Sequence, residues 1–512
     1  MPAQSLECFK NLMHGCNAGS AGPQRCQGKA AGIPFGFNVL AALSLLVAFT
    51  GGALAQTGTS ATNPGALAAA WRATSRLGYG PTAASAQAAE ADPKAWALQQ
   101  IDAAYAASRQ VPNIPAEISR FNEPVSDIAR DFRAERQARS TVREQSAVPD
   151  PTNAAGSGTA DAQGFSREMQ QTAAAWRVMS CSDASIENPL LARMTEFWFN
   201  HLNVFAGKGS VRPFVGHYVV NAIRANALGK FEDLLLASAR HPAMLFYLDQ
   251  AQSNVRGLNE NYARELMELH TLGVDAGYSQ TDVRELARIL TGWTVGLQQN
   301  EGFRFAERLH NRGSKTLLGR TFSDDGVREG EEAIRMLAQH PATAKHIARR
   351  LATTFVADEP PQKLVDRLAA TFSNTQGDIR AVMRALVSSD EFWRAGNTLL
   401  KTPLDFACSA LTAGGGAKDR RDIQLTLGFL SQAGQPMHGW QTPDGYKTDA
   451  ATWLAPEALT RRADYAITLG RRMGEPVYLR SFLGAATLER IEREAPNARA
   501  GLMLASPDFM NK

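Results

Sequence analysis

Cysteine is scarce in this chain of 512 residues, which has 5 in all. Cys8, Cys16 and Cys26 lie near the N-terminus, so only Cys181 and Cys408 occur in the remaining sequence. So few cysteines disfavour a zinc site built on thiolates. A disulfide between Cys181 and Cys408 stays open, because the sequence does not say how close the two residues come in space.

Basic runs and long apolar runs are missing as well. Lysine and arginine number 54 against 50 aspartate and glutamate residues, a formal net charge of +4, and no stretch of the chain concentrates the excess. We therefore expect no nucleic-acid partner. The most apolar run, Val39 to Phe49, is shorter than the roughly 20 residues that cross a bilayer. No membrane span is expected once this region has been removed.

The sequence around that run has the pattern of an export signal. Basic residues precede it, and the small residues Ala53-Leu54-Ala55 follow it, as at a signal-peptide cleavage site. We predict a signal peptide over residues 1–55, a disordered leader over 56–64, and a soluble mature protein that is periplasmic or secreted. An uncleaved N-terminal anchor is the alternative.

Helical periodicity dominates the sequence from Phe165 onward. Ser279 and Asp282, for example, have the spacing of a capping box, apolar residues then recur at i, i+3, i+4 and i+7, and Gly292 marks the end of the helix. The stretch 295–325 breaks this regularity and permits a short β-hairpin. The predicted fold class is mostly α: a large multi-helix globular domain with long loops and one short β-hairpin.

Domain boundaries follow from composition. Residues 146–164 have almost no apolar side chains, which predicts a flexible loop. We assign residues 65–470, including this loop, to one helical domain and residues 471–512 to a C-terminal helical extension. Near the end of the domain, Thr442-Pro443-Asp444-Gly445 predicts a turn. Tryptophan and tyrosine residues flank it, which indicates that the turn packs on the body of the protein.

The densest polar cluster occupies residues 259–270. At about 100° per residue of a helix, Glu260, Arg264 and Glu268 fall on one stripe, whereas Glu265 lies farther round. Ion pairs that support the helix are the simplest interpretation of the stripe. A metal-binding or acid–base role for at least one of these acids is the alternative. The two-histidine motif of zinc proteases is excluded, because no second histidine lies four residues away on the same face.

A second polar group lies in the aromatic helix around residues 196–205. Glu196, Asn200 and Asn203 form a line at i, i+4 and i+7, and buried polar groups need hydrogen-bond partners. We expect the polar helix described above to supply them. His201 shares its face with aromatic residues and is predicted to be a hydrogen-bonded core histidine, with a ligand or proton-transfer role as the alternative.

Other histidines have local interpretations. His241 and His340 each precede a proline and a helical pattern, so we predict that they are structural residues at helix junctions. His310 lies with Lys315 in an irregular stretch, where we predict exposure to solvent, with contact to an anionic group as the alternative. The sequence has no Gly-x-Ser-x-Gly elbow, Walker loop, Rossmann fingerprint or paired Cys-x-x-Cys motif.

Six segments of the sequence together match a known pattern. They are Arg76-x-Gly78-x-Gly80-Pro81, Phe197-Trp198-x-Asn200-His201, His241-Pro242-Ala243-Met244-Leu245, the run NENYARELMELHTLGV from Asn259 to Val274, Leu290-Thr291-Gly292-Trp293-Thr294, and Gly439-Trp440-x-Thr442-Pro443-Asp444-Gly445-Tyr446. On these residues the chain resembles the bacterial "domain of unknown function 1800" family over residues 68–470.

This resemblance implies an exported, large and mostly helical protein without an established reaction. It also implies a second exported protein, similar to alkaline phosphatases and sulfatases, that is often encoded beside members of the family. The aromatic helix of the family often reads Phe-Trp-His-Asn-His-Phe. Here Phe199 replaces the first histidine and Leu202 the final phenylalanine, so this chain keeps one of the two imidazoles.

Two functional hypotheses remain. The one we favour is a helical binding or maturation protein for a co-exported partner similar to a phosphatase or sulfatase. The alternative is a periplasmic enzyme of unknown reaction, with one divalent metal ion as its expected cofactor and a site between helices 192–205 and 259–272. Its predicted catalytic residues, which are also the predicted metal ligands, are Glu265, Glu268 and His201, with Asn200 and Asn259 as orienting residues.

Overall fold

The computed structural model of the chain describes residues 64–146 and 164–512. The predicted signal peptide over 1–55 and the predicted leader, apart from residue 64, lie outside these ranges, as do residues 147–163 of the predicted loop. The described residues are mostly helical, with four short strands, so the predicted fold class is confirmed. None of the helices in the described ranges combines the length and the apolar character needed to cross a membrane.

The first half of the fold is built from helices. In chain order the helices are α1 (Pro64–Leu77), α2 (Ala83–Ala91), α3 (Pro93–Ser108), α4 (Val125–Ser146), α5 (Gly164–Ser182), α6 (Pro189–His201), α7 (Phe231–Ala239), α8 (Pro242–Tyr247), α9 (Asn261–Glu265) and α10 (Gln280–Leu290). A π-helical turn, Leu266–His270, continues α9. Between α6 and α7, residues 209–226 form short 3₁₀, α and π turns.

The second half repeats this helical architecture after a small β region. The strands are β1 (Trp293–Val295), β2 (Phe303–Phe305), β3 (Lys315–Leu317) and β4 (Arg320–Phe322). The helices that follow are α11 (Val327–Gln339), α12 (Pro341–Phe355), α13 (Gln362–Asn374), α14 (Ile379–Val387), α15 (Asp390–Arg394), α16 (Pro403–Ala413), α17 (Arg420–Gln432), α18 (Ala450–Trp453), α19 (Pro456–Gly470), α20 (Ala485–Glu492), α21 (Pro496–Ala505) and α22 (Pro507–Met510).

Side-chain caps fix the starts of several helices. Ser279 and Asp282 form the predicted capping box of α10. The Nδ1 atoms of His241 and His340 accept hydrogen bonds from the backbone N–H groups two residues later, at the starts of α8 and α12. Proline follows both histidines, as favoured in the first turn of a helix. The two histidines therefore have the structural role at helix junctions that the sequence predicts.

The β region consists of two antiparallel hairpins. β1 pairs with β2, with Trp293 opposite Phe305, and β3 pairs with β4, with Lys315 opposite Phe322. The sequence predicts one hairpin in this region. The second pair forms because Leu318 and Gly319 both adopt positive φ angles, which gives a two-residue turn tight enough to pair strands of only three residues.

Two large hydrophobic cores and one small cluster near the end of the chain hold the described helices together. The larger one extends from α1 to α15 and includes Trp176, Trp198 and Trp293. The second core is centred on α16, α17 and α19. A disulfide between Cys181 of α5 and Cys408 of α16 joins the two parts of the chain, which settles the pairing that the sequence left open. α21 packs along α19, and residue 511 forms a β-bridge with Leu400.

Candidate functional site

A cleft of about 490 Å³ opens between α6, α12 and the loop of residues 435–449. We call it the central cleft. Its polar lining includes Glu196, Asn200, His201, His346, Arg350 and Asp405, and four leucines and Phe197 contribute to its apolar surface. A volume of this size is typical of clefts that bind small molecules, for which the usual range is about 300–1,000 Å³.

The asparagines of the aromatic helix hold the 435–449 loop in place. The Oδ1 atom of Asn200 accepts from the backbone N–H of Tyr446 (2.7 Å), and its Nδ2 donates to the Tyr446 carbonyl (3.0 Å). The Nδ2 of Asn203 donates to the carbonyls of Trp440 and Thr442. The prediction that the polar helix at 259–270 pairs with this line is therefore wrong for both asparagines. Their partners are backbone groups that follow more than 230 positions later, which helical periodicity cannot reveal.

Glycine at position 445 is required by this close contact. Gly445 has φ +73°, and a Cβ atom on it would lie 2.1 Å from the backbone oxygen of Asn200. The rings of Trp440 and Tyr446 lie 4.7 Å apart on the two sides of the turn. The predicted turn at 442–445 thus packs on the body of the protein, as its flanking aromatic residues indicate.

Two histidines of the central cleft hydrogen-bond the end of the π-helical turn. The last carbonyl groups of a helix have no partner within it. The His270 carbonyl accepts from Nε2 of His201 (3.1 Å), and the Thr271 carbonyl accepts from Nδ1 of His346 (2.8 Å). The rings of His201 and His346 lie 5.7 Å apart. His201 is therefore a buried, hydrogen-bonded histidine, as its simpler interpretation predicts, and it also reaches the cleft.

The surroundings of these histidines keep them neutral. Burial lowers the pKa of His201 well below its usual value, and the positive charge of Arg350 lowers it further. Burial and Arg350 also lower the pKa of His346. For His270, burial and then the neighbouring His346 and Arg350 lower the pKa to about 3. At neutral pH the three imidazoles are therefore uncharged, and the cleft contains acceptor nitrogens beside the arginine.

Arg350 lines the central cleft without a counter-ion. Its guanidinium makes no hydrogen bond and no ion pair with any of the described residues. Burial lowers the pKa of Arg350, and the charge of Asp444 opposes that effect. Arginine nevertheless stays protonated at any ordinary pH. The cleft wall therefore presents a positive charge that none of the described residues neutralises by direct contact.

The acids of the cleft are already engaged by the protein itself. Glu196 pairs with Arg177 of α5. Asp405 pairs with both Arg193 and Lys512. Asp444 accepts from the indole N–H of Trp440 and the hydroxyl of Thr442 and lies 3.5 Å from the Lys447 ammonium. Asp449 caps α18. The acids of the cleft therefore have partners, whereas the positive charge of Arg350 has none among the described residues.

The structure separates the residues of the predicted enzyme site. Asn200 and His201 line the central cleft, but Glu265, Glu268 and Asn259 are not among the described residues that line it. Glu268 lies 3.6 Å from Arg264, which also contacts Glu260, so the predicted stripe of helix-supporting pairs is present. The side chain of Asn259 accepts from the backbone N–H two residues on. The catalytic and metal-binding roles given to these residues stay predictions.

Metal binding has little geometric support in the described part of the chain. Residues 64–146 and 164–512 contain no group of three or more histidine, cysteine, aspartate or glutamate side chains arranged to hold a metal ion. Glu265 remains unusual for another reason, because burial and the neighbouring charge of Glu268 raise its pKa. A raised carboxyl pKa is a feature that general acids share.

His310 and Lys315 differ from their predicted environment. Both are buried, and both contact the same oxygen of Glu329, His310 through Nε2 at 2.8 Å and Lys315 through Nζ at 2.7 Å. The expected exposure to solvent is therefore wrong. The anionic group of the alternative interpretation is the carboxylate of Glu329 on α11.

Two central residues of the cleft have no counterpart in the sequence-based site. His346 and Arg350 are four residues apart on α12, and Thr353 and Thr354 continue the same polar line into the cleft. This spacing resembles that of the Glu196–Asn200–Asn203 line. Because α12 also carries the exposed Lys345 and Arg349, this polar line alone does not distinguish a side that faces a cleft from one that faces solvent.

Comparisons with known proteins identify the family of the chain. No curated protein and no solved structure matches the chain. A family model described as "Protein of unknown function (DUF1800)" matches residues 72–511. That match includes α6, α12, the 435–449 loop and all residues named above in the central cleft except Lys512. The chain therefore belongs to the DUF1800 family.

Proposed function

We propose that this chain is an exported binding protein whose central cleft receives an anionic group of its ligand. The observation that carries the proposal is the guanidinium of Arg350, which faces a cleft of about 490 Å³ without a counter-ion. Arg350 is partly exposed to the cleft, and a partly desolvated charge is stabilised by an ionic partner. An anionic ligand would supply the missing partner through the planar donor fork that arginine offers to carboxylates and phosphates.

Export is supported by the disulfide and by the N-terminal sequence pattern. Disulfides such as Cys181–Cys408 persist in oxidising compartments and are rare in the cytosol. A co-exported partner similar to phosphatases or sulfatases is part of the same proposal. The mature protein, tagged and recovered from periplasm, should retain such a partner in a stoichiometric complex. Recovery of the protein alone would contradict this part of the proposal and leave the cleft unaffected.

Isothermal titration of the purified protein tests the anion site directly. Acetate, sulfate and inorganic phosphate serve as probes, and Arg350→Met removes the charge while it keeps an apolar stem of similar length. Charge-assisted hydrogen bonds contribute about 1.5–3 kcal/mol, so the variant should bind the preferred anion at least about tenfold more weakly. Arg328→Met is the matched control, because Arg328 is an exposed residue of α11 that pairs with Asp325. Equal affinities in the wild type and both variants would refute the anion site.

An enzyme of unknown reaction is the second candidate. The observation that favours it is the raised pKa of Glu265, one of the residues predicted to act in acid–base chemistry. Elemental analysis of protein purified without chelators tests the metal-dependent version. One ion per chain that is lost in Glu265→Ala or Glu268→Ala would support it, and a metal-free folded protein would contradict it. Hydrolysis of 4-nitrophenyl esters that disappears in Glu265→Gln would support an enzyme without a metal.

A further inference from the structure

The ligand class follows from three kinds of group on the wall of the central cleft. His346 and Arg350 project from one face of α12, four residues apart, and the ring of His201 from α6 lies 5.7 Å from that of His346. Arg350 is a donor of hydrogen bonds. The two imidazoles are acceptors, and leucine side chains form an apolar surface nearby. The inference that follows rests on the anion site proposed above.

The hydrogen-bond roles of the histidines are set by their backbone partners. A carbonyl oxygen only accepts, so Nε2 of His201 and Nδ1 of His346 both carry a hydrogen. In a neutral imidazole the other nitrogen then has a free lone pair. His201 and His346 thus offer two acceptors beside the guanidinium of Arg350, and a matching ligand must bring hydrogen-bond donors as well as negative charge.

This combination disfavours sulfate and phosphate groups. Their oxygens mainly accept hydrogen bonds and would face the lone pairs of two imidazoles that are held neutral. A carboxylate needs only the two parallel donors that one arginine provides. The acceptor nitrogens are then left for an N–H or O–H group a short distance from the carboxylate.

The apolar part of the cleft adds a third requirement. Leu269, Leu399, Leu400 and Leu404 line it together with Phe197. These side chains would exclude water from around a hydrocarbon group of the ligand, which favours apolar substituents over hydroxylated ones.

We infer that the ligand is a carboxylic acid with an N–H or O–H donor on the neighbouring carbon and an apolar side chain. The carboxylate binds Arg350, the donor binds His201 or His346, and the side chain packs against the leucines. N-acyl amino acids, 2-hydroxy acids and the C-terminal residue of a peptide share this chemistry. The experiment therefore includes both free acids and a peptide.

Isothermal titration with N-acetyl-L-leucine and three relatives tests each requirement. N-acetyl-L-leucinamide lacks the carboxylate, N-acetyl-N-methyl-L-leucine lacks the donor, and N-acetylglycine lacks the side chain. The parent compound should bind, and each relative should bind about tenfold or more weakly, as expected for the loss of one well-formed interaction. The tetrapeptide N-acetyl-Ala-Ala-Ala-Leu should bind at least as tightly if the source is a peptide C-terminus, and more weakly if it is a free acid.

Variants of the cleft assign each requirement to a side chain. Arg350→Met should lose the preference for the acid over its amide. Of His201→Leu and His346→Leu, the variant that removes the acceptor should lose the preference for the N–H compound over its N-methyl derivative, and retention of that preference in both variants would contradict the role of the histidines. Arg350→Lys, which keeps the charge, should retain part of the first preference if Arg350→Met does not fold. Arg328→Met should match the wild type. Thermal unfolding of every variant checks that the folded state is intact.

The outcomes separate this inference from the proposal on which it depends. Binding of sulfate or phosphate in preference to N-acetyl-L-leucine, with loss in Arg350→Met, would overturn the ligand class and keep the anion site. Equal binding of the N–H and N-methyl compounds would overturn the role of the histidines. Failure of every anion to bind would overturn both.

Discussion

Replacing Asp405 by asparagine removes the carboxylate that pairs with two cations of a buried cluster. Asp405 is 4% exposed and accepts from Arg193 and Lys512. Lys401 and Arg462 are also buried close enough to feel its charge. Because an amide cannot neutralise these cations, Asp405→Asn leaves several positive charges together in the protein interior.

The expected loss of stability is large for a single substitution. Breaking a buried ion pair by removal of one partner costs about 3–5 kcal/mol. Two charge-assisted hydrogen bonds at about 1.5–3 kcal/mol each give a similar figure. Asp390→Asn is the matched control, because Asp390 forms an ion pair with Arg394 in which both side chains are more than 70% exposed. Such exposed pairs contribute about 0–1 kcal/mol.

Urea denaturation followed by tryptophan fluorescence measures both variants, since the chain has 8 tryptophans. A double-mutant cycle with Lys512→Met should give a coupling of about 1–3 kcal/mol, as found for residues in direct contact. A loss in Asp405→Asn no greater than that in Asp390→Asn would refute the argument. It would mean that water or a shift of the lysine relieves the unpaired charge.

The pH dependence of Asp405→Asn provides an independent check. Burial alone would raise the pKa of Asp405, but Arg193 and Lys512 lower it below the ordinary value of 3.8. The stability that its charge contributes is therefore complete above about pH 3.8 and is lost as the pH falls through the folded-state pKa. The difference in unfolding free energy between wild type and Asp405→Asn should shrink on acidification below that pH. A constant difference would contradict the linkage.

Three further predictions concern other parts of the fold. Replacement of both Cys181 and Cys408 by serine should cost about 3–5 kcal/mol by chemical denaturation, because the crosslink closes a long loop with a sequence separation of 227; an unchanged midpoint would contradict it. Gly445→Ala should cost about 2–4 kcal/mol through its positive φ and the 2.1 Å contact, whereas Gly428→Ala, with open space around its Cβ, should cost nothing. Burial lowers the pKa of His217 to about 4. Between pH 7 and pH 5 this histidine therefore becomes protonated in the unfolded chain but not in the folded one, which lowers the free energy of unfolding by about 2 kcal/mol. His217→Gln should lack this part of the loss.

Local features of the fold are readable from the sequence because their causes are local. The capping box of Ser279 and Asp282, the helix that follows it and the turn around Gly445 all depend on residues within a few positions of one another. Histidine caps at His241 and His340 belong to the same class. The number of hairpins is harder to predict, because a two-residue turn at Leu318 requires a positive φ that leucine rarely adopts.

The central cleft is less predictable because its parts meet only in the tertiary structure. The polar line with Asn200 and Asn203 indicates that partners exist, but it does not indicate where in the chain they are. His346 and Arg350 lie on an amphipathic helix of ordinary appearance. Only the packing of α12 beside α6 shows that their side of the helix faces a cavity instead of the core.

Arg462 also lacks a hydrogen-bond partner among the described residues, but its surroundings differ from those of Arg350. Both terminal nitrogens of Arg462 are buried without a protein hydrogen bond, but its guanidinium lies over the ring of Phe406 at 5.3 Å in the second core. Arg462 is not among the residues that line the central cleft. Replacement of a poorly paired buried ion by an apolar residue of similar size is often neutral or stabilising. Arg350 differs in that it borders a cleft whose acids are all engaged elsewhere. Its retained charge therefore favours a ligand over a purely structural role.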